Sequence, residues 1–264
     1  MKRLVLLLVL MIGFQAFSFS KIIRVNNLEE SIPEENLFSN LNDAYNNAVS
    51  GDTIYIEGCN IGYGDLTLEK RLTLIGQGYF NNENPGISSN KFETIVGRIY
   101  LENGSSGSKI HGLKFDQGQF STARISVNNI EIGNCYFRRP IRVNEENVEN
   151  IVVNRCYFSS NSGFTVGQFT EPPQNFIFSN NIVIGNFFIK NENSGTITNN
   201  VFKGSDFSVG ENSNLQIHNN IFLGTESSDY VMPEVSSNIS YNISASSPFD
   251  NSNNNQTNVV DSNY

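Results

Sequence analysis

Among the residues of this sequence that could do chemistry, the arginines stand out. Arg98, Arg124 and Arg142 recur at intervals of 26 and 18 residues. Tyr100 and Glu102 follow closely behind the first, and Phe188 and Lys190 lie further along. All seven sit in or beside apolar-any-apolar triplets: Ile99-Tyr100-Leu101, Ile125-Ser126-Val127, Ile141-Arg142-Val143, Phe164-Thr165-Val166, Phe187-Phe188-Ile189 and Phe207-Ser208-Val209. Alternation with a period of two marks a strand with one buried face, so these polar and aromatic side chains share an outward face. A guanidinium is a planar, bidentate donor that matches carboxylates and sulfates, and an aromatic ring can stack on a sugar. Together they are candidates for holding an extended acidic polysaccharide.

Other chemistry finds less in the chain. The two histidines, His111 and His218, are far apart in sequence, and the three cysteines, Cys59, Cys135 and Cys156, are too few for a disulfide scaffold. There is no glycine-rich phosphate loop and no calcium-binding nonapeptide repeat. With 17 Lys plus Arg against 26 Asp plus Glu the formal charge is −9, which argues against general nucleic-acid binding because that needs a basic footprint.

The elements that would position these residues are set by an internal repeat. Segments 110–115, 132–137, 153–158, 178–183, 197–202, 217–222 and 239–244 align, and their last residues step by 22, 21, 25, 19, 20 and 22. One apolar triplet falls between each pair, and no segment within a unit is long enough for a helix. Leucine-rich repeats share the period but not the Leu-x-x-Leu-x-Leu frame, and a β-sandwich would not keep Asn pairs in fixed register. The spacing predicts an all-β solenoid of three short parallel strands per coil, stacked at roughly 4.8 Å. Like residues then form ladders. One reads Cys135, Cys156, Asn181, Asn200, Asn220 and Asn242, and the next Phe115, Phe137, Phe158, Phe202 and Phe222 with Val183 interrupting. Asn suits a turn ladder because it tolerates a left-handed bend and its amides can bond along the stack. Stacking places the Cys135 and Cys156 Cα atoms about 5 Å apart, within disulfide range, but the Cβ atoms stay wider than the usual ~3.8 Å. That favours a pair of thiols.

The opening of the repeat is distinctive: Leu41-x-x-Ala44 and Ala48, then Gly51-Asp52-Thr53-Ile54-Tyr55-Ile56, Leu66-Thr67-Leu68 and Leu72-Thr73-Leu74-Ile75-Gly76. Over about residues 38 to 245 the chain resembles the right-handed parallel β-helix proteins of the pectate-lyase-like superfamily, of a secreted bacterial type. Leu41, Ala44, Tyr45 and Ala48 fall on one face of a short helix with Ser39 as its expected N-cap. Such a helix can cover the open strand edges of the first coil. The resemblance implies a right-handed β-helix of eight to nine coils with a working groove along one strand ladder. Lyases of that superfamily hold calcium with several acids and use Arg or Lys as base. Its polygalacturonases use clustered Asp, and its pectin methylesterases two Asp with an Arg.

Matched residue by residue, those sites are missing. On the outward triplet positions the acids are Glu102 and Asp206, about four coils or ~19 Å apart, whereas paired carboxylates work within about 10 Å. Six to eight oxygens do not converge for calcium. The segment Arg138-Arg139-Pro140-Ile141-Arg142 is one residue short of the Arg-x-Pro-x-x-Arg of the lyases, and a one-residue slip turns the last side chain to the other face.

At the start of the chain, Lys2 and Arg3 precede ten mostly apolar residues, 4–13, followed by Phe14, Ala16, Ser18 and Ser20. This reads as a secretory signal peptide over residues 1–20, too short for a stable membrane span. Removing it leaves 15 cations against 26 acids, a charge of −11. The expected organisation is a segment with a capping helix at 21–49, the β-helix at 50–245 and an Asn- and Ser-rich disordered tail at 246–264. The expected function is a secreted or cell-surface, non-catalytic carbohydrate-binding or adhesive module whose partner is an acidic polysaccharide. No metal or other cofactor is expected. The rival readings are a polysaccharide lyase or hydrolase with an atypical site, in which calcium would take part, and a structural piece of a larger surface assembly.

Overall fold

A computed structural model describes residues 20–83, 86, 91–117, 122–143, 148–159, 163–166, 174–184, 186–189, 194–203, 207–209, 214–223, 230–231, 239–240 and 243–244. The expected signal peptide (apart from Ser20), the tail, Asn242, Lys190 and Asp206 lie outside these residues. The chain winds into a parallel β-solenoid with three sheets of eleven, eight and eight strands. From Lys109 on, each coil visits the first sheet, crosses a two-residue turn to the third, and continues to the second.

Register follows from the inward apolar positions. In the first sheet Ile54, Leu74, Ile110, Ile132, Val153, Phe178, Ile197 and Ile217 stack in line and are buried. In the third sheet Phe115, Phe137, Phe158, Val183, Phe202 and Phe222 do the same. Phe115 and Phe137 stack at 4.5 Å between ring centroids, and Phe137 and Phe158 at 5.2 Å. The aromatic ladder is thus one continuous strip of core.

Six successive coils of regular length run from Lys109 to Val231. Eight to nine is reached only by counting an enlarged coil before them and partial coils at both ends. The enlarged coil spends residues 76–94 between two strands. Its Tyr79 and Phe80 fold back onto outward Tyr136 and Tyr157 of the third sheet, with centroids 5.1 to 6.4 Å apart. Glu93 holds this segment down, accepting from the Phe80 amide at 2.7 Å and from Lys114 Nζ at 2.6 Å. Burial under this cluster pushes the Tyr79 hydroxyl up to about 12.

The α-helix Leu41–Asn47, α1, packs Leu41 and Ala44 into the core at the N-terminal end, where two short strands extend the first sheet. Its N-cap is Asn40, not Ser39. Asn40 Oδ1 accepts from the amides of Asn42 at 2.8 Å and Asp43 at 3.3 Å, while Ser39 Oγ meets Ser31 Oγ. The capping side chain must belong to the extended residue immediately before the first helical one, and Ser39 stands one place too early.

The Asn pairs divide two tasks that the sequence reading gave to one residue. The first member of each turn takes the left-handed bend: Asn134, Arg155, Asn180, Asn199 and Asn219, with φ between 53° and 58°. The second member is buried and carries the ladder. Asn200 Nδ2 donates to Phe178 O at 2.9 Å and to Asn220 Oδ1 at 3.0 Å, and Asn200 Oδ1 accepts from the Asn181 amide at 2.9 Å. Asn129, Asn150 and Asn175 make a second left-handed row on the turn into the first sheet, which the repeat alignment did not show.

At the other end of the ladder Cys135 and Cys156 are buried free thiols. Burial, and the neighbouring thiol, push Cys156 well above the ordinary thiol range. Cys156 Sγ faces Ile132 O at 3.8 Å, which is where a ladder amide would donate, and the Cys156 amide already donates to Asn181 Oδ1 at 2.8 Å. Cys156→Asn is therefore expected to extend the ladder and raise unfolding stability by about 1 kcal/mol, read as a higher urea midpoint with unchanged slope. A loss of stability would show that the coil cannot close around the amide.

Candidate functional site

The outward row of the second sheet carries most of the candidate residues. Its register runs Thr67, Tyr100, Arg124, Arg142, Thr165, Phe188 and Ser208, one residue per coil. The strand bearing Arg124 is Ala123–Ile125, not the expected Ile125-Ser126-Val127. Ala123 and Ile125 fill the two inward slots between Ile99 and Leu101 on one side and the Ile141–Val143 strand on the other, and are fully buried. Ser126 and Val127 instead lead to the left-handed turn at Asn129. The shift by two residues keeps the outward face and brings Arg124 directly beside Tyr100 and Arg142.

Arg98 occupies a different place from the one expected. It faces outward but sits one outward position before Tyr100, level with Asp65 of the preceding coil and outside the Tyr100–Arg124–Arg142 row. Its guanidinium meets Asp65 Oδ2 through Nε at 2.8 Å and Nη2 at 2.6 Å, and its backbone N–H donates to Asp65 Oδ1 at 2.7 Å. Burial acts to raise the Asp65 pKa, but the backbone and guanidinium hydrogen bonds from Arg98 outweigh it and hold the carboxyl below its ordinary value. Asp65 escaped the sequence reading. Its signal is its place immediately before Leu66-Thr67-Leu68, as Arg98 stands immediately before Ile99-Tyr100-Leu101.

Tyr100 is engaged by two cations. The Arg98 and Arg124 guanidiniums lie over its ring at 5.6 and 5.4 Å from the centroid, within cation–π range. The ring acts as a spacer between guanidiniums more than as a bare platform for sugar. Arg124 Nε is buried and has no hydrogen-bond partner among the described residues, and Arg142 is exposed. Neither is ion-paired among the described residues. Phe188 stands two coils beyond Arg142 in the same row, half-buried.

Glu102 lies beyond the strand end, its backbone amide bonded to Leu68 O and its carbonyl accepting from Ser105, so it does not join the row. In the near-match segment Arg138 pairs with Asp116 at 3.0 Å, Arg139 is half-buried, and Arg142 alone belongs to the row. His111 and His218 share one outward row of the first sheet, five coils apart. Burial lowers the His111 pKa against the pull of Glu131, 3.4 Å away, and His218 Nδ1 meets Thr198 Oγ1 at 3.1 Å.

Among the described residues no three or more His, Cys, Asp or Glu side chains come together to hold a metal, and no helix is long and apolar enough to cross a membrane. No protein-family model matches the chain, and no curated protein or solved structure matches it.

Proposed function

We propose that this chain is a secreted or cell-surface β-solenoid of pectate-lyase-like type that binds acidic polysaccharide along its second sheet without cleaving it. The observation that carries this reading is the direct pairing of Arg124 with Arg142 on adjacent coils, with no carboxylate on either among the described residues. Two guanidiniums at the ~4.8 Å strand spacing suit anions repeated along an extended chain. Such repetition is the property of a polyuronate or sulfated glycan, and Phe188 further along the row adds an aromatic surface. Secretion is supported by the charged, then apolar, then small-residue start of the sequence.

Exposed ion pairs are each worth under about 1 kcal/mol, so binding to a short oligosaccharide is expected between high-micromolar and millimolar. Retention on an immobilised polygalacturonate column at low salt tests it. Wild type should be retarded and released as salt is raised, because salt screens charges on the outward face. The double variant Arg124→Ser and Arg142→Ser should pass unretarded with its thermal melt unchanged, since neither side chain faces the core. Co-elution of wild type and double variant at low salt would refute a polyanion row. Calcium-dependent release of unsaturated products from pectate would favour the lyase reading instead.

A further inference from the structure

We infer that Asp65 is a built-in counter-ion that withholds Arg98 from the polyanion row, and so limits the row to Arg124 and Arg142. The inference rests on the reading of that row as a polyanion site. Three features of the chain converge on it. Both side-chain nitrogens that Arg98 turns towards Asp65 land on one oxygen, Oδ2, while the other oxygen is taken by the Arg98 backbone amide. One carboxylate is thus engaged by both the main chain and the side chain of a single residue, a geometry that a freely moving surface pair does not keep.

The second feature is the hollow that admits the carboxylate. A Cβ on Gly97 would come within 2.1 Å of Asp65 Oδ1, so only glycine at this position leaves room for Asp65 to reach the Arg98 amide. The turn that delivers Asp65 bends at Gly64, with φ +80°, a left-handed conformation that glycine adopts without strain.

The third is where the held guanidinium rests. It lies over the Tyr100 ring, whose other cationic neighbour is Arg124. Released from Asp65, Arg98 would be a third cation next to the row, one coil before Arg124. Held, it serves to position Tyr100, and its charge is already cancelled. Asp65 is thus a specificity-determining residue: it shortens the stretch of polyanion that the second sheet reads and weakens binding to the longest, most highly charged chains.

The test is affinity electrophoresis of the full chain in gels containing polygalacturonate at low salt. Arg98→Ser bares the Asp65 carboxylate beside the row and should weaken retardation up to about threefold. Asp65→Asn keeps an oxygen for the Arg98 amide but drops the charge, and should tighten retardation about three- to fivefold. The double variant D65N/R98S should return to the wild-type value. Asp43→Asn, which removes one acid from the distant helix α1, should leave retardation unchanged and so controls for net charge.

A loss with D65N/R98S as large as that with Arg124→Ser and Arg142→Ser would overturn the inference, since Arg98 would then be a ligand. So would a folded Asp65→Asn protein, judged by its melt, that binds no tighter than wild type. Should Asp65→Asn not fold, the double variant D65N/R98S decides. If wild type is not retarded while Asp65→Asn is, the withheld cation stands and the proposed function falls. If neither is retarded, both fall.

Discussion

Replacing Asn200 by Ala is expected to lower the free energy of unfolding by about 2 kcal/mol. The side chain is 1 % exposed and bonds in both directions along the stack. Asn181 Nδ2 keeps Val153 O, and Asn220 Oδ1 keeps the Asn200 backbone amide. One group loses its partner in this contact: the Asn181 backbone N–H. A buried group left unpaired costs about 1–3 kcal/mol. For a chain of this size that lowers Tm on the order of 5 °C. Because each coil touches only its neighbours, the coils after Asn200 should exchange their amide hydrogens before the rest. Asn199→Gly is the control. Asn199 makes the left-handed bend, at φ 57°, which glycine also adopts, and the change should be near neutral. A loss under about 1 kcal/mol for Asn200→Ala would mean that water reaches the ladder.

A larger loss, about 3–5 kcal/mol, is expected for Phe137→Ala. The ring is fully buried and stacked on both sides, by Phe115 and Phe158, with interplanar angles of 14°. Its removal forfeits the transfer energy of the ring and leaves a cavity that the two neighbours cannot close, because their own strands fix the spacing. Phe137→Leu retains most of the apolar volume and should lose less than half as much. Phe137 lies three coils from the Phe202 strand that follows Asn200, or more than 10 Å. The Phe137→Ala and Asn200→Ala losses should therefore add to within about 0.5 kcal/mol in the double variant, measured from urea midpoints at unchanged slope. A markedly smaller sum would show that one defect already uncouples the stack.

The two expectations differ in how legible they were. The Phe ladder was readable from its step alone, because parallel coils in register bring like positions together and each needs one apolar side chain on the inside. The Asn ladder was readable as a row but not as a device. Both members of an Asn-Asn pair tolerate a left-handed bend, and only the closed turn shows that the first bends while the second enters the core.

The site divides along the same line. That Arg124 and Arg142 share a face follows from period-two alternation. Their adjacency to Tyr100 depends on which apolar pair fills the core, and Ala123 with Ile125 competed there with Ile125 and Val127. Packing against the Ile99–Leu101 strand settles that choice, because a two-residue slide preserves the face and leaves no trace in the alternation. The cap moved from Ser39 to Asn40 for a related reason, since the helix start is set by where Leu41 meets the core.

By itself, then, the sequence determined the architecture: three short parallel strands per coil, most of the inward residues, the two ladders and the outward placing of the arginines. All of these are consequences of short-range periodicity repeated every 19–25 residues. Tertiary structure alone decided that Arg98 is bound by Asp65, 33 residues away, that two guanidiniums share Tyr100, and that Tyr79 and Phe80 return to cover Tyr136 and Tyr157. Each of these contacts depends on where a turn or loop of irregular length delivers the chain, which no period constrains. Their partners are selected by the shape left open once the coils have stacked.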